Sequence, residues 1–395
     1  MTVLDSGDRS TGDDPLVTSG RPQLEAIVDL DAIAHNVGVL REHAGDAALM
    51  TVVKADAYNH GVVAVARTAL AAGADQLGVT TVAEGLELRA AGIDAPVLAW
   101  LHTVDADYAA AIVAGIEIGV SSPRHLAAVV AAAQAVGSPA VVTVKIDTGL
   151  NRNGVAPDEW DTMVDALAAA VADGAIRLHG AFTHLAHADE PHHPVIDRQK
   201  QRFDDALAQL RRRGLEPDVV HAANSAATLT RPDLRYDMVR PGIALYGLTP
   251  VPELGDFGLR PAMNLRARVA LVKHVAEGEG VSYGHIWVAP KDTTVALLPM
   301  GYADGLPRLL SQKFEVQLGG KRRRAIGRVC MDQVVVELGP DADGVVEGDT
   351  AYVFGNGDHG EPNALAWAEE LGTIHYEIVC GIRGRTTRTY AGGGQ

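Results

Sequence analysis

A lysine, two arginines, a histidine and a serine stand where apolar runs of this sequence give way to loops. Lys54 follows Leu49–Val53 and opens Ala55–Gly61, and Arg152 ends the stretch Lys145–Arg152. His184 closes Ile176–His184, Asn224 and Ser225 follow Val219–Ala222, and Arg240 closes Tyr236–Arg240 ahead of Pro241-Gly242. Taken singly, Lys54 is an ordinary solvated loop lysine. Partial burial beside Arg152 and Arg240 would instead lower its pKa and make the amine a nucleophile for a carbonyl. Gly242 and Ser225 suit a phosphate cradle of backbone N–H groups and a hydroxyl. A phosphorylated carbonyl compound that condenses with lysine is pyridoxal phosphate. The residues alone leave both possibilities open.

The elements that must position these groups alternate. After a leading run, Glu25–Leu30, eight strand candidates follow: Leu49–Val53, Gln76–Thr80, Val97–Trp100, Glu117–Val120, Val141–Asp147, Ile176–His184, Val219–Ala222 and Tyr236–Arg240. Alanine-rich helical stretches such as Gly61–Ala72, Val82–Ala91, Pro123–Val136 and Val195–Arg213 lie between them. Nearly unbroken apolar strands are those of a parallel sheet buried on both faces. Eight β-then-α units predict an α/β chain with an N-terminal (β/α)8 TIM-like barrel, whose reactive groups gather where strands end. Past Pro261 the rhythm becomes mostly β: Asn264–Val275, Thr293–Leu298, Phe314–Leu318, Arg324–Val329, Gln333–Leu338, Thr350–Phe354 and His375–Cys380 read as strands, and only Ala364–Leu371 as a helix. The expected organisation is a flexible acidic tail over 1–21, a barrel over 22–258 and a C-terminal β domain over 259–395.

Composition narrows the classes. The 395 residues hold 34 Lys+Arg against 50 Asp+Glu, a net charge of −16, which disfavours nucleic acid as a partner. Two cysteines, Cys330 and Cys380, are too few for a disulfide framework and suit a reducing compartment. No apolar stretch approaches the roughly 20 residues of a membrane span, and the N-terminus lacks the pattern of a secretory signal. A cytoplasmic protein without membrane attachment is expected.

Val52–Gly61 resembles the cofactor-lysine motif of the alanine racemases. The similarity runs from about Pro22 to Tyr390 and includes Lys145–Arg152, Met238–Gly242, Val281–Gly284 and Cys330–Gln333 in the same order. It implies pyridoxal 5'-phosphate held by Lys54 as an imine, with the Lys54 amine moving a proton on the D-face of the α-carbon and Tyr283 serving the L-face. The family places Tyr283 and Met331 in the site of the partner subunit, so a homodimer is implied. By the same resemblance Arg240 faces the ring nitrogen with His184 behind it. Arg152 touches the phenolic oxygen and the substrate carboxylate. Tyr58, Ser225, Gly242 and Ile243 hold phosphate, with Asn224 alongside, and the Met331 amide meets the carboxylate beside Asp332. Lys145 is a position that is often carbamylated, and Tyr302, Arg308 and Arg328 match the entrance. The implied activity interconverts L- and D-alanine, supplying D-alanine for peptidoglycan. Alternatives are a racemase of broader specificity, a decarboxylase of this architecture, or a barrel-only pyridoxal-phosphate protein without turnover.

Two departures stand out. Asn59 replaces a glycine of the lysine motif, which the left-handed tolerance of asparagine permits. Gly384 replaces a tyrosine that touches phosphate in many members, which predicts one hydroxyl fewer and a wider entrance. Other signals are set aside. His184, His187, Asp189, His192 and His193 crowd together, but Pro191 and Pro194 break any helix that would align them, so no metal is expected. Gly355–Gly360 matches a G-x-G-x-x-G string without the βαβ setting that dinucleotides need. Lys321–Arg324 reads as a solvated hairpin tip.

Overall fold

The computed structural model describes residues 20–394, so most of the expected acidic tail lies outside the described residues. Eight parallel strands close into a barrel: β2 (Ala48–Val52), β3 (Gln76–Val79), β4 (Val97–Ala99), β5 (Glu117–Val120), β6 (Ala140–Lys145), β7 (Ile176–Phe182), β8 (Val219–His221) and β9 (Met238–Val239). The register joins β9 back to β2 at Met238 and Ala48. Leu49, Met50, Thr51 and Val52 are all buried, as an apolar strand covered on both faces must be. The helices between strands carry ordinary stop and start signals. Ser122 accepts from His125 N ahead of Pro123–Val136, and Gly137, at φ +74°, ends that helix in a left-handed turn. Thr81 and Glu84 form a reciprocal cap on Val82–Ala90.

The leading strand β1 (Leu24–Asp29) belongs elsewhere. It lies between β10 (Met263–Arg268) and a final strand, Thr387–Ala391, antiparallel to the first and parallel to the second. Within the expected barrel range of 22–258, this first strand thus pairs with strands of the C-terminal sheet. The partners of β1 in the second domain lie more than 200 positions away, so local sequence does not specify this pairing.

That second domain is a nine-stranded sheet. Its other members are β11 (Leu271–Val275), β14 (Thr293–Leu298), β15 (Glu315–Leu318), β16 (Lys321–Ile326), β17 (Val334–Gly339), β18 (Thr350–Phe354) and β19 (Thr387–Ala391), with β12 (Gly280–Val281) and β13 (Trp287–Val288) as a separate ribbon. The order is β11-β14-β17-β16-β15-β18-β10-β1-β19. Three expectations change. Asn264–Val275 is two strands, β10 and β11, broken at Val269-Ala270. Lys321–Arg324 is not a tip: Gly319-Gly320 turn the chain, and Arg323 is buried in β16, donating to Leu338 O at 2.6 Å and pairing with Asp343. His375–Cys380 is a helix, His375–Gly381, rather than a strand. Its buried residues His375, Ile378 and Val379 follow helical spacing, which a mixed β-branched and aromatic run disguises.

Candidate active site

Strand ends on one rim of the barrel surround a cavity of about 600 Å³. Lys54, Tyr58, Lys145, Arg152, His184, Asn224, Ser225, Arg240, Gly242 and Ile243 all line it, which brings together every cofactor residue expected from sequence. Tyr283 and Met331 are absent from that lining. They lie on the β domain, 72% and 53% exposed, away from the cavity that holds Lys54. Ser282 Oγ donates to Arg328 O at 2.7 Å and contacts Cys330 Sγ at 3.2 Å, so the tyrosine loop and the Cys330-Met331 loop form one rim.

Lys54 is positioned by an unusual backbone. Ala55, Asp56, Ala57 and Tyr58 have φ between 52° and 54°, and Asn59 has φ 65°, a left-handed turn of five non-glycine residues. Such residues cost roughly 1–2 kcal/mol each, so their surroundings must hold them. Glu84 Oε1 accepts from Ala55 N at 2.7 Å, and Asp56 Oδ1 accepts from Val62 N at 2.7 Å. Arg388 pairs with Asp56 at 2.7 Å and donates to Asn59 Oδ1 at 2.8 Å. Asn59 thus supplies both the left-handed conformation and an anchor. Glu84, the cap of a neighbouring helix, and Arg388, from β19, escaped the sequence reasoning because each acts on a segment that only the fold brings near.

Electrostatics set the character of the cavity. Lys54, Lys145, Arg152 and Arg240 converge there, and among the described residues none of them forms a salt bridge with a carboxylate. Burial, followed by the charge of Arg152, lowers the Lys54 pKa. Burial and then Arg240 and Arg152 bring Lys145 down to about 8. Burial pushes Arg240 down to about 9, which leaves the guanidinium charged at neutral pH. Arg240 Nη2 donates to His184 Nδ1 at 3.1 Å and to Thr183 O, and Nη1 to His221 Nδ1 at 3.4 Å. His184 is held well below the usual imidazole range, first by burial and then by Arg240. A neutral ring is the acceptor that such a guanidinium needs.

The opposite end is a cradle. Ser225 Oγ accepts from Gly242 N at 2.8 Å and from Ala244 N at 3.3 Å, and Asn224 caps the short helix Ser225–Thr230 through Ala227 N. A Cβ on Gly242 would sit 2.3 Å from Tyr58 Oη, so only glycine lets that phenol close on the cradle. Four cations free of salt bridges, this cradle and a deprotonatable amine match an anionic phosphate ester bearing a carbonyl, so the donor set fits pyridoxal phosphate. A phenol that the sequence reading did not single out also lines the cavity. Helix His375–Gly381 turns Tyr376 and Cys380, one helical turn apart, into the same cavity, with the Tyr376 ring centroid 6.3 Å from that of Tyr58. The i,i+4 spacing of Tyr376 and Cys380 was the available signal. A side chain at Gly384 has no room: its φ is +74°, and a Cβ would stand 2.3 Å from Ala303 O.

The histidine-rich loop behaves differently from expectation in one respect. His187, Glu190 and His193 do gather, with ligand atoms within 4.8 Å of one another, because the loop folds without needing a helix. His187 Nδ1 already meets Glu190 at 3.0 Å, His193 Nδ1 accepts from Val195 N at 3.3 Å, and His184 is committed to Arg240.

The family models for the alanine racemase N-terminal and C-terminal domains match residues 28–250 and 262–390. The chain belongs to the alanine racemase family. It is 58% identical over 371 residues to an alanine racemase of Mycolicibacterium smegmatis, covering 94% of this chain and 95% of that protein. It is 56% identical over 366 residues to that of Mycobacterium tuberculosis, covering 93% and 95%. Its fold superposes on the alanine racemase of the D-cycloserine-producing Streptomyces lavendulae with a TM-score of 0.92 at 48% identity, covering 95% of this chain and 98% of that one. A match across both domains separates this alanine racemase family member from barrel-only pyridoxal-phosphate proteins. Among the described residues no helix is long and apolar enough to cross a membrane.

Proposed function

We propose that this chain interconverts L- and D-alanine as a homodimer, with pyridoxal phosphate attached at Lys54 and a proton carried on opposite faces by Lys54 and the partner's copy of Tyr283. The convergence of Lys54, Lys145, Arg152 and Arg240 on one cavity, none of them salt-bridged to a carboxylate among the described residues, is the observation that carries it. When bound, the cofactor supplies the electron withdrawal that acidifies the Cα–H of an amino acid.

The chain's own residues do the rest. Tyr58, Ser225 and the amides of Gly242 and Ile243 hold the phosphate, with Tyr376 as an added phenol. Arg240, backed by His184 and His221, presents a charged guanidinium to the ring nitrogen. It cannot accept a proton and disfavours one on the nitrogen, so electron withdrawal stays moderate and return of the proton to carbon is favoured. A decarboxylase would place an acid there. Arg152 and the Met331 amide receive the substrate carboxylate. Lys54 Nζ, with its pKa lowered, takes or returns a proton on one face, and the phenol of Tyr283 acts on the other. The exposure of Tyr283 and Met331 in one chain is explained by a second chain covering them. Lys145, at about 8, has enough free amine to take up carbon dioxide; the carbamate would be an anion beside Arg152 that fixes its fork. The D-alanine so formed serves peptidoglycan synthesis, a cytoplasmic task.

The test is a visible absorption spectrum of the purified protein with a D-alanine assay. Wild-type protein is expected to be yellow and active. Lys54→Ala is expected to lose the absorbance and at least about 10⁴-fold in turnover. A colourless wild type, or an active Lys54→Ala, would refute the assignment.

A further inference from the structure

A guanidinium outside the cavity ties together the loops that serve the substrate. Arg385 donates from Nε and Nη2 to Asp304 Oδ1 and Oδ2 at 2.9 and 2.8 Å, and from Nη1 to Asp332 Oδ1 at 2.7 Å. Asp304 is fully buried, and its Oδ2 also accepts from Gly301 N at 3.0 Å. The loop it belongs to is laced to the next: Tyr302 N donates to Cys330 O and Ala303 N to Met331 O, both at 3.0 Å. The approach is close enough that a Cβ on Gly301 would lie 2.2 Å from Met331 O. Arg385 thus holds the Met331 loop from two sides, through Asp332 directly and through Asp304 beneath it. Gly384 allows this, since a side chain there would strike Ala303 O and lift Arg385 away.

We propose that Arg385 is a positioning residue for the substrate carboxylate, acting on the partner's active site through Asp332 and Met331. The inference rests on the preceding assignment, in which Met331 works across the dimer. The Met331 amide is useful only where its N–H direction is fixed, and Met331 itself is half-exposed on a rim. A bidentate guanidinium–carboxylate pair on a buried aspartate gives the rigid base, and the third donor carries that rigidity to Asp332.

Asp332→Asn and Arg385→Gln holoenzymes, with the double variant, separate positioning from general stability. Asp332→Asn keeps the Arg385–Asp304 pair and so remains folded if Arg385→Gln does not. The expected result is a KM for L-alanine raised about tenfold in Asp332→Asn, with kcat within about twofold and an unchanged cofactor spectrum. The double variant should be no worse than Arg385→Gln, because both break one linkage. Arg385→Lys should recover part of the KM. A second arm uses dimers of a Lys54→Ala chain with a Tyr283→Phe chain, in which the one complete site takes its Met331 from the Lys54→Ala chain. Asp332→Asn on that chain should raise KM, and on the other chain should not. Wild-type KM in Asp332→Asn, or additive effects in the double variant, would overturn the role of Arg385 while leaving the shared site intact. Mixed dimers with no activity at all would instead overturn the shared site and the positioning role together.

Discussion

Arg240 Nη2 stands 3.1 Å from His184 Nδ1, a charged donor against an imidazole that burial and the neighbouring cations keep neutral. The pair explains how Arg240 keeps a positive charge in the cavity floor without a carboxylate partner of its own. Three neutral acceptors, His184, His221 and the Thr183 carbonyl, satisfy the guanidinium, so its charge remains directed at whatever occupies the cavity.

Replacing that charge should change the fate of the reaction. Arg240→Glu is expected to favour a protonated ring nitrogen and to raise pyruvate formation by transamination at least about tenfold relative to racemisation, with turnover down about 10²-fold. Pyruvate and D-alanine measured in the same reaction check it. An unchanged ratio would count against the neutral-ring argument.

Tyr376 is expected to bear on cofactor retention. Its ring lies 6.3 Å from that of Tyr58 in the same cavity, and burial raises the pKa of both phenols, so both remain donors. Tyr376→Phe should weaken cofactor affinity about three- to tenfold, as the loss of one hydrogen bond to a charged group predicts. Equilibrium dialysis of the cofactor gives the number; wild-type affinity would show that Tyr376 does not touch phosphate.

Subunits inactivated separately should repair one another. Random pairing of Lys54→Ala and Tyr283→Phe chains makes about half of the dimers mixed, each with one complete site of two, so about a quarter of wild-type activity should return. Activity after mixed refolding or coexpression is the measurement. Activity that stays at the level of the parents would place Tyr283 outside the partner's site.

Acid should destabilise the fold through buried histidines. Burial holds His60 and His375 at about 4, against an ordinary value of 6.5. Between those values the unfolded chain binds more protons than the native one. Stability is therefore full above pH 6.5 and is lost as the pH falls toward 4. Each residue is expected to contribute a loss of ~2 kcal/mol at pH 5, with His184 and His221 adding in the same direction. Urea midpoints at pH 7.5 and 5.0 check the sign; equal midpoints would refute it.

The barrel and its rim were legible because the deciding interactions are local in sequence. Unbroken apolar strands such as Leu49–Val53 can be buried on both faces only in a sheet covered by helices, and residues at their ends must then share a rim. Lys54, Arg152, His184, Ser225 and Arg240 follow from that rule alone. The run His375–Cys380 misled because aromatic and β-branched side chains suit a strand locally, whereas packing beneath the barrel rim selects a helix and so delivers Tyr376.

Residue type and order by themselves determined that an amine, two guanidiniums and a glycine-built cradle converge, since strand parity and turn chemistry act over a few residues. Only the tertiary structure decided that β1 leaves the barrel for the other sheet, that Arg388 and Glu84 hold the left-handed turn after Lys54, and that Tyr283 stands away from its own chain's lysine. Those outcomes depend on contacts between segments from 29 to more than 300 residues apart, where the sum of burial and hydrogen bonding, rather than any local preference, selects the partner.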